Sequence, residues 1–117
     1  MLPRYLSRMG HYVEGFDSVE SAKIACQRRR FDLFLVDYVM PEEGGQRFID
    51  WIVNRPDKQR PELVVMSGMD LAAVREELHP ITVEHMLQKP FARLQVVDNL
   101  VQRILREQKS GGALPAE

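Results

Sequence analysis

Three residues of different chemical type each close a predicted strand: Asp37 after Phe34-Leu35-Val36, Ser67 after Leu63-Val64-Val65-Met66, and Lys89 after the stretch from Val83 to Gln88, the first two of these strands being apolar. A carboxylate, a small hydroxyl and an ammonium suit the making and holding of an acyl phosphate. The carboxylate serves as nucleophile, the hydroxyl hydrogen-bonds a phosphoryl oxygen, and the ammonium pairs with another oxygen and stabilises its charge. Lysine suits this task because its head is a compact, strongly hydrated point charge. Taken singly, each residue also has an ordinary structural reading: an Asp that forms a turn, a Ser-Gly turn, and a lysine that points into water. Their shared position at the ends of predicted strands is what sets them apart.

The elements that must position these groups follow from periodicity. Phe31 to Val36, broken by Asp32 alone, and Leu63 to Met66 are short apolar runs, the first nearly and the second fully continuous, the pattern of strands covered on both faces. A third strand is predicted near Val83–Gln88 and a fourth over His11–Phe16. Leu2, Leu6 and Met9 share a helical face that stops at Gly10, and Pro3 is tolerated in a first helical turn. Asp17 with Glu20 reads as a capping box for a helix to about Arg29. Gln46–Asn54 and a helix capped by Asp70 over Leu71–Leu78 follow. The final helix carries Leu94, Val97, Leu100, Val101, Ile104 and Leu105 as a stripe, and residues 109–117 read as a disordered tail. Strands alternating with helices predict an α/β fold, a parallel sheet flanked by helices on both faces. Such sheets gather chemistry outside the carboxyl ends of their strands, where Asp37, Ser67 and Lys89 fall.

Composition narrows the function. The 117 residues carry 16 Lys+Arg against 17 Asp+Glu, a formal charge of −1, with 44% hydrophobic residues. That is the make-up of one small folded domain, here residues 1–108, and it does not favour direct nucleic-acid binding. Arg28, Arg29 and Arg30 form the one dense basic cluster and read as a solvated helix end. Cys26 is the single cysteine, so no internal disulfide forms. No run approaches the ~20 apolar residues that span a bilayer, and no secretory signal opens the chain, so a cytoplasmic location without membrane contact is expected.

The motifs Asp32-Leu33-Phe34-Leu35-Val36-Asp37-Tyr38-Val39-Met40-Pro41 with Gly45, Val64-Val65-Met66-Ser67-Gly68, and Lys89-Pro90-Phe91 resemble the receiver domain of two-component response regulators. The likeness extends from about Leu2 to Arg106 and implies a doubly wound, flavodoxin-like parallel sheet. It implies that Asp37 accepts a phosphoryl group from a histidine kinase or phosphotransfer protein, that Ser67 and Lys89 move to meet it, and that Lys89-Pro90 is a cis peptide. The resemblance also implies Mg²⁺ as cofactor and a surface of the last helices and last strand that an output partner, unnamed by the sequence, reads. Gly44-Gly45 reads as the turn beside the phosphoacceptor.

The chain departs from the family in two ways. The family opens with a central strand ending in an acidic pair that holds Mg²⁺, and this sequence starts after it. The domain is therefore expected to be N-terminally truncated, with the Asp37 carboxylate and the Val39 backbone carbonyl left as Mg²⁺ ligands. A sheet without its central strand is expected to favour a homodimer or a strand swap. Secondly, the aromatic switch position three residues before the lysine is Met86. The leading reading is a phosphoacceptor module. The alternative is a degenerate pseudo-receiver that binds partners without phosphorylation. An enzyme is not expected, because the phosphatase pattern that also uses such an aspartate wants a second Asp where this chain has Val39. His11, His79 and His85 show no zinc-site spacing.

Overall fold

The computed structural model describes residues 1–40, 44–56 and 61–112, the last four as backbone alone. Pro41 of the phosphoacceptor motif lies outside them. The elements in chain order are α1 (Leu2–Arg8), α2 (Val19–Arg28), β1 (Leu33–Asp37), α3 (Gly44–Val53), β2 (Glu62–Ser67), α4 (Leu71–Leu78), β3 (His85–Gln88) and α5 (Leu94–Gly112). They fall into two compact units, one made of Met1–Gly15 with Phe91–Glu117 and the other of Phe16–Pro90.

The Phe16–Pro90 unit is built on a parallel sheet in the order β1-β2-β3. β2 is the central strand, and its Val64, Val65, Met66 and Ser67 are all buried, as a strand covered on both faces requires. β1 instead alternates, with Phe34 and Val36 buried between half-buried Leu33, Leu35 and Asp37. The expectation that β1 is covered on both faces is corrected by this alternation. β1 pairs with β2 alone among the described residues, and an edge strand keeps less cover than a central one.

Helices α2, α3 and α4 belong to the same unit. Their apolar faces join the strands in one core of Val19, Ala22, Phe34, Val36, Phe48, Ile49, Ile52, Val65, Val74, Leu78 and Val83 among others. Ile49, Ile52, Val64, Val65 and Val74 are fully buried. At about 25 cal/mol per Å² of apolar surface, each such side chain stabilises the fold by roughly 1.5–3 kcal/mol relative to exposure. A chain of aromatic contacts runs from Phe16 through Phe31, Phe34 and Phe48 to Trp51, with ring centroids 5.1–6.2 Å apart. Phe31, predicted as the first residue of a strand, is instead a link in this chain.

The predicted strand over His11–Phe16 does not form, and among the described residues no strand precedes β1. A strand exists through its ladder partner, and among the described residues no strand pairs with this segment; Tyr12 is 83% exposed. The helix start is also corrected by one residue. Ser18, not Asp17, is the N-cap of α2, and its Oγ accepts from the Ser21 backbone N–H at 3.1 Å. A serine in extended conformation places its short side chain over the third helical N–H, whereas Glu20 turns outward to the Arg47 guanidinium at 3.2 Å. Asp70 is the N-cap of α4 but makes no side-chain cap bond.

In the other unit, α1 opens with Pro3 in its first turn and ends before Gly10, which takes φ +98°, the left-handed conformation that follows a helix end. Leu6 of α1 and Val97, Val101 and Ile104 of α5 are buried. α5 continues to Gly112, past the Lys109 boundary at which the tail was expected to begin; residues 113–117 lie outside the described residues. No helix among the described residues is long and apolar enough to cross a membrane.

Candidate functional site

Sheet register brings the three predicted groups to one edge. Asp37 pairs with Met66, so Ser67 lies one step beyond it on β2. Ser67 in turn pairs with Gln88, which puts Lys89 one step beyond on the next strand. The ladder extends past the assigned strands: Tyr38 N–H donates to Met66 O at 2.8 Å, and Lys89 N–H donates to Ser67 O at 2.7 Å. Each residue therefore sits on a backbone held by parallel-sheet hydrogen bonds.

Side chains complete the arrangement on Asp37 and Lys89. Lys89 Nζ donates to Asp37 Oδ2 at 2.9 Å, with the two side chains 40% and 39% exposed. An ion pair this open to water contributes only about 0.2–1 kcal/mol. It does little for the fold, and it leaves the carboxylate reachable from solvent. Ser67 is fully buried, and its Oγ accepts from the Met69 N–H at 2.9 Å. Among the described residues no hydrogen bond joins Ser67 to Asp37. A hydroxyl that accepts from a backbone N–H still has its own proton to donate, so Ser67 can turn toward an oxygen arriving at Asp37.

Gly45 explains why the carboxylate is so placed. A Cβ built there would stand 2.5 Å from the Asp37 carbonyl oxygen and closer still to that of Tyr38. The start of α3 thus lies against the backbone that carries the acidic side chain. The expected turn at Gly44-Gly45 is corrected: both glycines are the opening residues of α3, and Gly45 is required by close approach rather than by a turn. The Lys89–Pro90 peptide is cis, as the resemblance implied, and so is His79–Pro80. Met86 pairs with Val65 and packs half-buried against the core.

Two participants escaped the sequence reading. Gln88 Nε2 donates to both Ser67 O (3.0 Å) and Met69 O (2.8 Å), bracing the loop that leaves β2. Nothing local marks that glutamine. Tyr38, buried directly after Asp37, donates its hydroxyl to the Glu77 carboxylate on α4. Here a signal existed, because a phenol at the end of a buried strand needs a hydrogen-bond partner.

Among the described residues, no group of three acid or imidazole side chains converges on Asp37. The donors that the resemblance implies there are the Asp37 carboxylate and the Val39 backbone carbonyl; Val39 is 63% exposed. Mg²⁺ demands near-octahedral oxygen ligation, commonly one or two carboxylates with several waters. The described residues do not by themselves make an Mg²⁺ site of the kind an acidic pair provides.

A parallel α/β sheet with an exposed carboxylate, a lysine and a hydroxyl at adjacent strand ends is the architecture of a phosphate-handling signalling domain. Residues 1–102 match the response regulator receiver domain family, and the chain belongs to that family. Receiver domains generally bind Mg²⁺. The response regulator receiver protein CpdR of Brucella abortus (strain 2308) is 27% identical over 106 residues, 89% of this chain and 85% of that protein. The signal receiver domain of a signal transduction histidine kinase from Syntrophus aciditrophicus superposes with TM-score 0.77 at 23% identity, over 99% of this chain and 83% of that one. A response regulator protein from Burkholderia pseudomallei, solved with a phosphorylated aspartic acid, calcium ion and citrate, superposes with TM-score 0.69 at 21% identity. That match covers 99% of this chain and 66% of the other. These likenesses establish a CheY-like fold.

Proposed function

We propose that this receiver domain accepts a phosphoryl group on Asp37. The observation that carries the reading is the 2.9 Å contact of Lys89 Nζ with an Asp37 carboxylate left 39% exposed at the strand-end edge. In the reaction, an Asp37 oxygen attacks phosphorus and forms an acyl phosphate, while the bond from phosphorus to the donor breaks and its electron pair leaves with the donor. For a histidine kinase or phosphotransfer protein, that bond is the phosphorus–nitrogen bond of a phosphohistidine. Lys89 exchanges its carboxylate partner for a phosphoryl oxygen, and Ser67 donates to another. The chain acts as a signalling module in the cytoplasm and not as an enzyme with its own substrate. Mg²⁺, were it bound, would supply charge neutralisation for the phosphoryl group; Asp37 and the Val39 carbonyl are the groups of this chain that would hold it.

Intact mass of the 117-residue chain after incubation with a small-molecule phosphodonor, with and without Mg²⁺, tests the reading. One phosphoryl adduct that disappears in Asp37→Ala and Asp37→Asn is expected. Adducts retained in both variants move the site elsewhere. Lys89→Gln is expected to keep the adduct and lose the conformational response, and an unchanged response reduces Lys89 to a surface lysine. A second reading, the pseudo-receiver that binds partners without phosphorylation, is favoured by the incomplete Mg²⁺ donor set. No adduct on a folded chain decides for it.

A further inference from the structure

The opposite end of the sheet holds a second cluster of ligating side chains. Glu62 is the first residue of β2, His85 is the first residue of β3, and Glu84 immediately precedes it. Val64 pairs with His85, so Glu62, two residues earlier on β2, lies on the same face as His85 and diagonally across from it. One carboxylate oxygen of each glutamate and a ring nitrogen of His85 all lie within 4.8 Å of one another. The His85 Nε2 to Glu84 Oε1 distance is 3.7 Å. β2 spans six residues, which places this cluster about 16 Å along the strand from the Asp37 edge.

We propose that Glu62, Glu84 and His85 form a binding site for a divalent transition-metal ion of the zinc type. Zinc holds imidazole nitrogen and carboxylate oxygen at about 2.0–2.2 Å, so tetrahedral ligands stand about 3.3–3.5 Å apart. The His85–Glu84 pair is already within a few tenths of an ångström of that separation. Glu84 is 82% exposed and lies outside the strand, so its side chain has room to close the remaining gap. The His85 side chain is 15% exposed, and among the described residues neither ring nitrogen has a partner within hydrogen-bond distance. A largely covered imidazole in that condition gains a strong partner by ligating a metal. Two carboxylates neutralise a divalent cation, and three protein ligands leave a fourth position for water. The imidazole selects against Mg²⁺ and Ca²⁺, which take oxygen ligands. A bound ion ties the starts of β2 and β3 together. The spacing of Glu62 from Glu84-His85 is set by strand pairing, which is why no sequence motif announces it.

Calorimetric titration of the full 117-residue chain with Zn²⁺, with Co²⁺ visible absorption as a second readout, tests this inference. One Zn²⁺ per chain is expected, with a rise in unfolding temperature that excess Mg²⁺ does not reproduce. Glu84→Gln alters an exposed side chain and leaves the fold intact, and it is expected to weaken Zn²⁺ binding at least about tenfold. His85→Gln is expected to remove the Co²⁺ bands of a nitrogen-containing site. Asp37→Asn is expected to leave Zn²⁺ uptake unchanged, which separates this site from the phosphoacceptor reading. Absence of uptake overturns the proposal, as does uptake of equal affinity in wild type, Glu84→Gln and His85→Gln.

Discussion

The hydroxyl of Tyr38 donates to the carboxylate of Glu77 at 2.5 Å, joining the residue that follows Asp37 directly to the last turn of α4. Tyr38 is buried, and Glu77 is also where Gln46 reaches from α3, its amide donating to the Glu77 carbonyl at 3.4 Å. A backbone movement at Asp37 would therefore have a charged hydrogen bond through which to reach α4. That route does not pass through Met86, whose thioether cannot reproduce an aromatic switch with a hydrogen-bonding group. Tyr38→Phe removes the donor and keeps the ring. A hydrogen bond to a charged group contributes about 1.5–3 kcal/mol. Part of that returns as Glu77 is rehydrated, so a loss of about 1–2 kcal/mol in urea unfolding is expected. If the tether transmits the signal, phosphodonor-induced changes in amide exchange over α4 shrink in Tyr38→Phe while the Asp37 adduct persists. Undiminished changes in α4 show another route.

Gly45 lies against the Asp37 and Tyr38 carbonyl oxygens, and those atoms belong to backbone pinned by the β1–β2 ladder. Neither side can yield as a flexible side chain would. Gly45→Ala is expected to destabilise by roughly 3 kcal/mol, the upper end of the usual range for overpacking. Gly15→Ala is the control: a Cβ there meets nothing within 4 Å, and the backbone is not left-handed. Chemical denaturation of both variants checks the contrast, and equal effects refute the role of close approach.

The site was legible where its signal was local. Asp37, Ser67 and Lys89 each follow a predicted strand, and the apolar runs before Asp37 and Ser67 mark two strands of the parallel sheet that aligns them. The expected His11–Phe16 strand does not form because apolar residues such as Tyr12 and Phe16 record only a willingness to pair, while a strand also needs a neighbour to pair with. The partners in long-range pairings left no trace in the sequence: Glu77 stands 39 residues from Tyr38, and Asp98 stands 87 from His11. The Ser18 cap was missed for a different reason. Asp17 and Ser18 are both good N-caps, and only the backbone angles of Ser18 choose between them.

β1 presents one ladder edge that no strand among the described residues covers, and half-buried Leu33 and Leu35 lie along it. Unpaired backbone groups beside apolar side chains are a template for another strand. Sedimentation of the 117-residue chain is expected to show association that grows with concentration. Leu35→Lys, which places a charge on the edge strand, is expected to reduce it. A monomer at every concentration refutes pairing through this edge.

Asp98 of α5 is 3% exposed and is held by His11 Nε2 and Gln102 Nε2, each at 2.7 Å. The pair ties the segment after α1 to α5 within one unit. His11→Ala leaves a buried carboxylate with one of its two side-chain partners gone. Such a loss costs about 1–3 kcal/mol, read as a fall in unfolding temperature. Asp98→Asn keeps a group of the same shape and is expected to cost less than His11→Ala. Equal costs show that packing, not the hydrogen bond, dominates.

Cys26 lies half-buried on α2, and burial raises its thiol pKa above the ordinary value of 9.0 despite the opposing pull of the nearby Arg55 guanidinium. Desolvation disfavours the thiolate more than the cation favours it. Only the thiolate is the nucleophile, so alkylation of the folded chain by iodoacetamide near neutral pH is expected to be slower than that of the urea-unfolded chain. The sign for stability follows from the same shift. A folded pKa raised above the unfolded value contributes stability that is fully present below about pH 9 and is lost as pH rises through the folded pKa. Cys26→Ser, which has no thiol to titrate, is expected to show a shallower fall in stability above pH 9 than the wild-type chain. Parallel curves, or folded-state alkylation as fast as in urea, refute the shift.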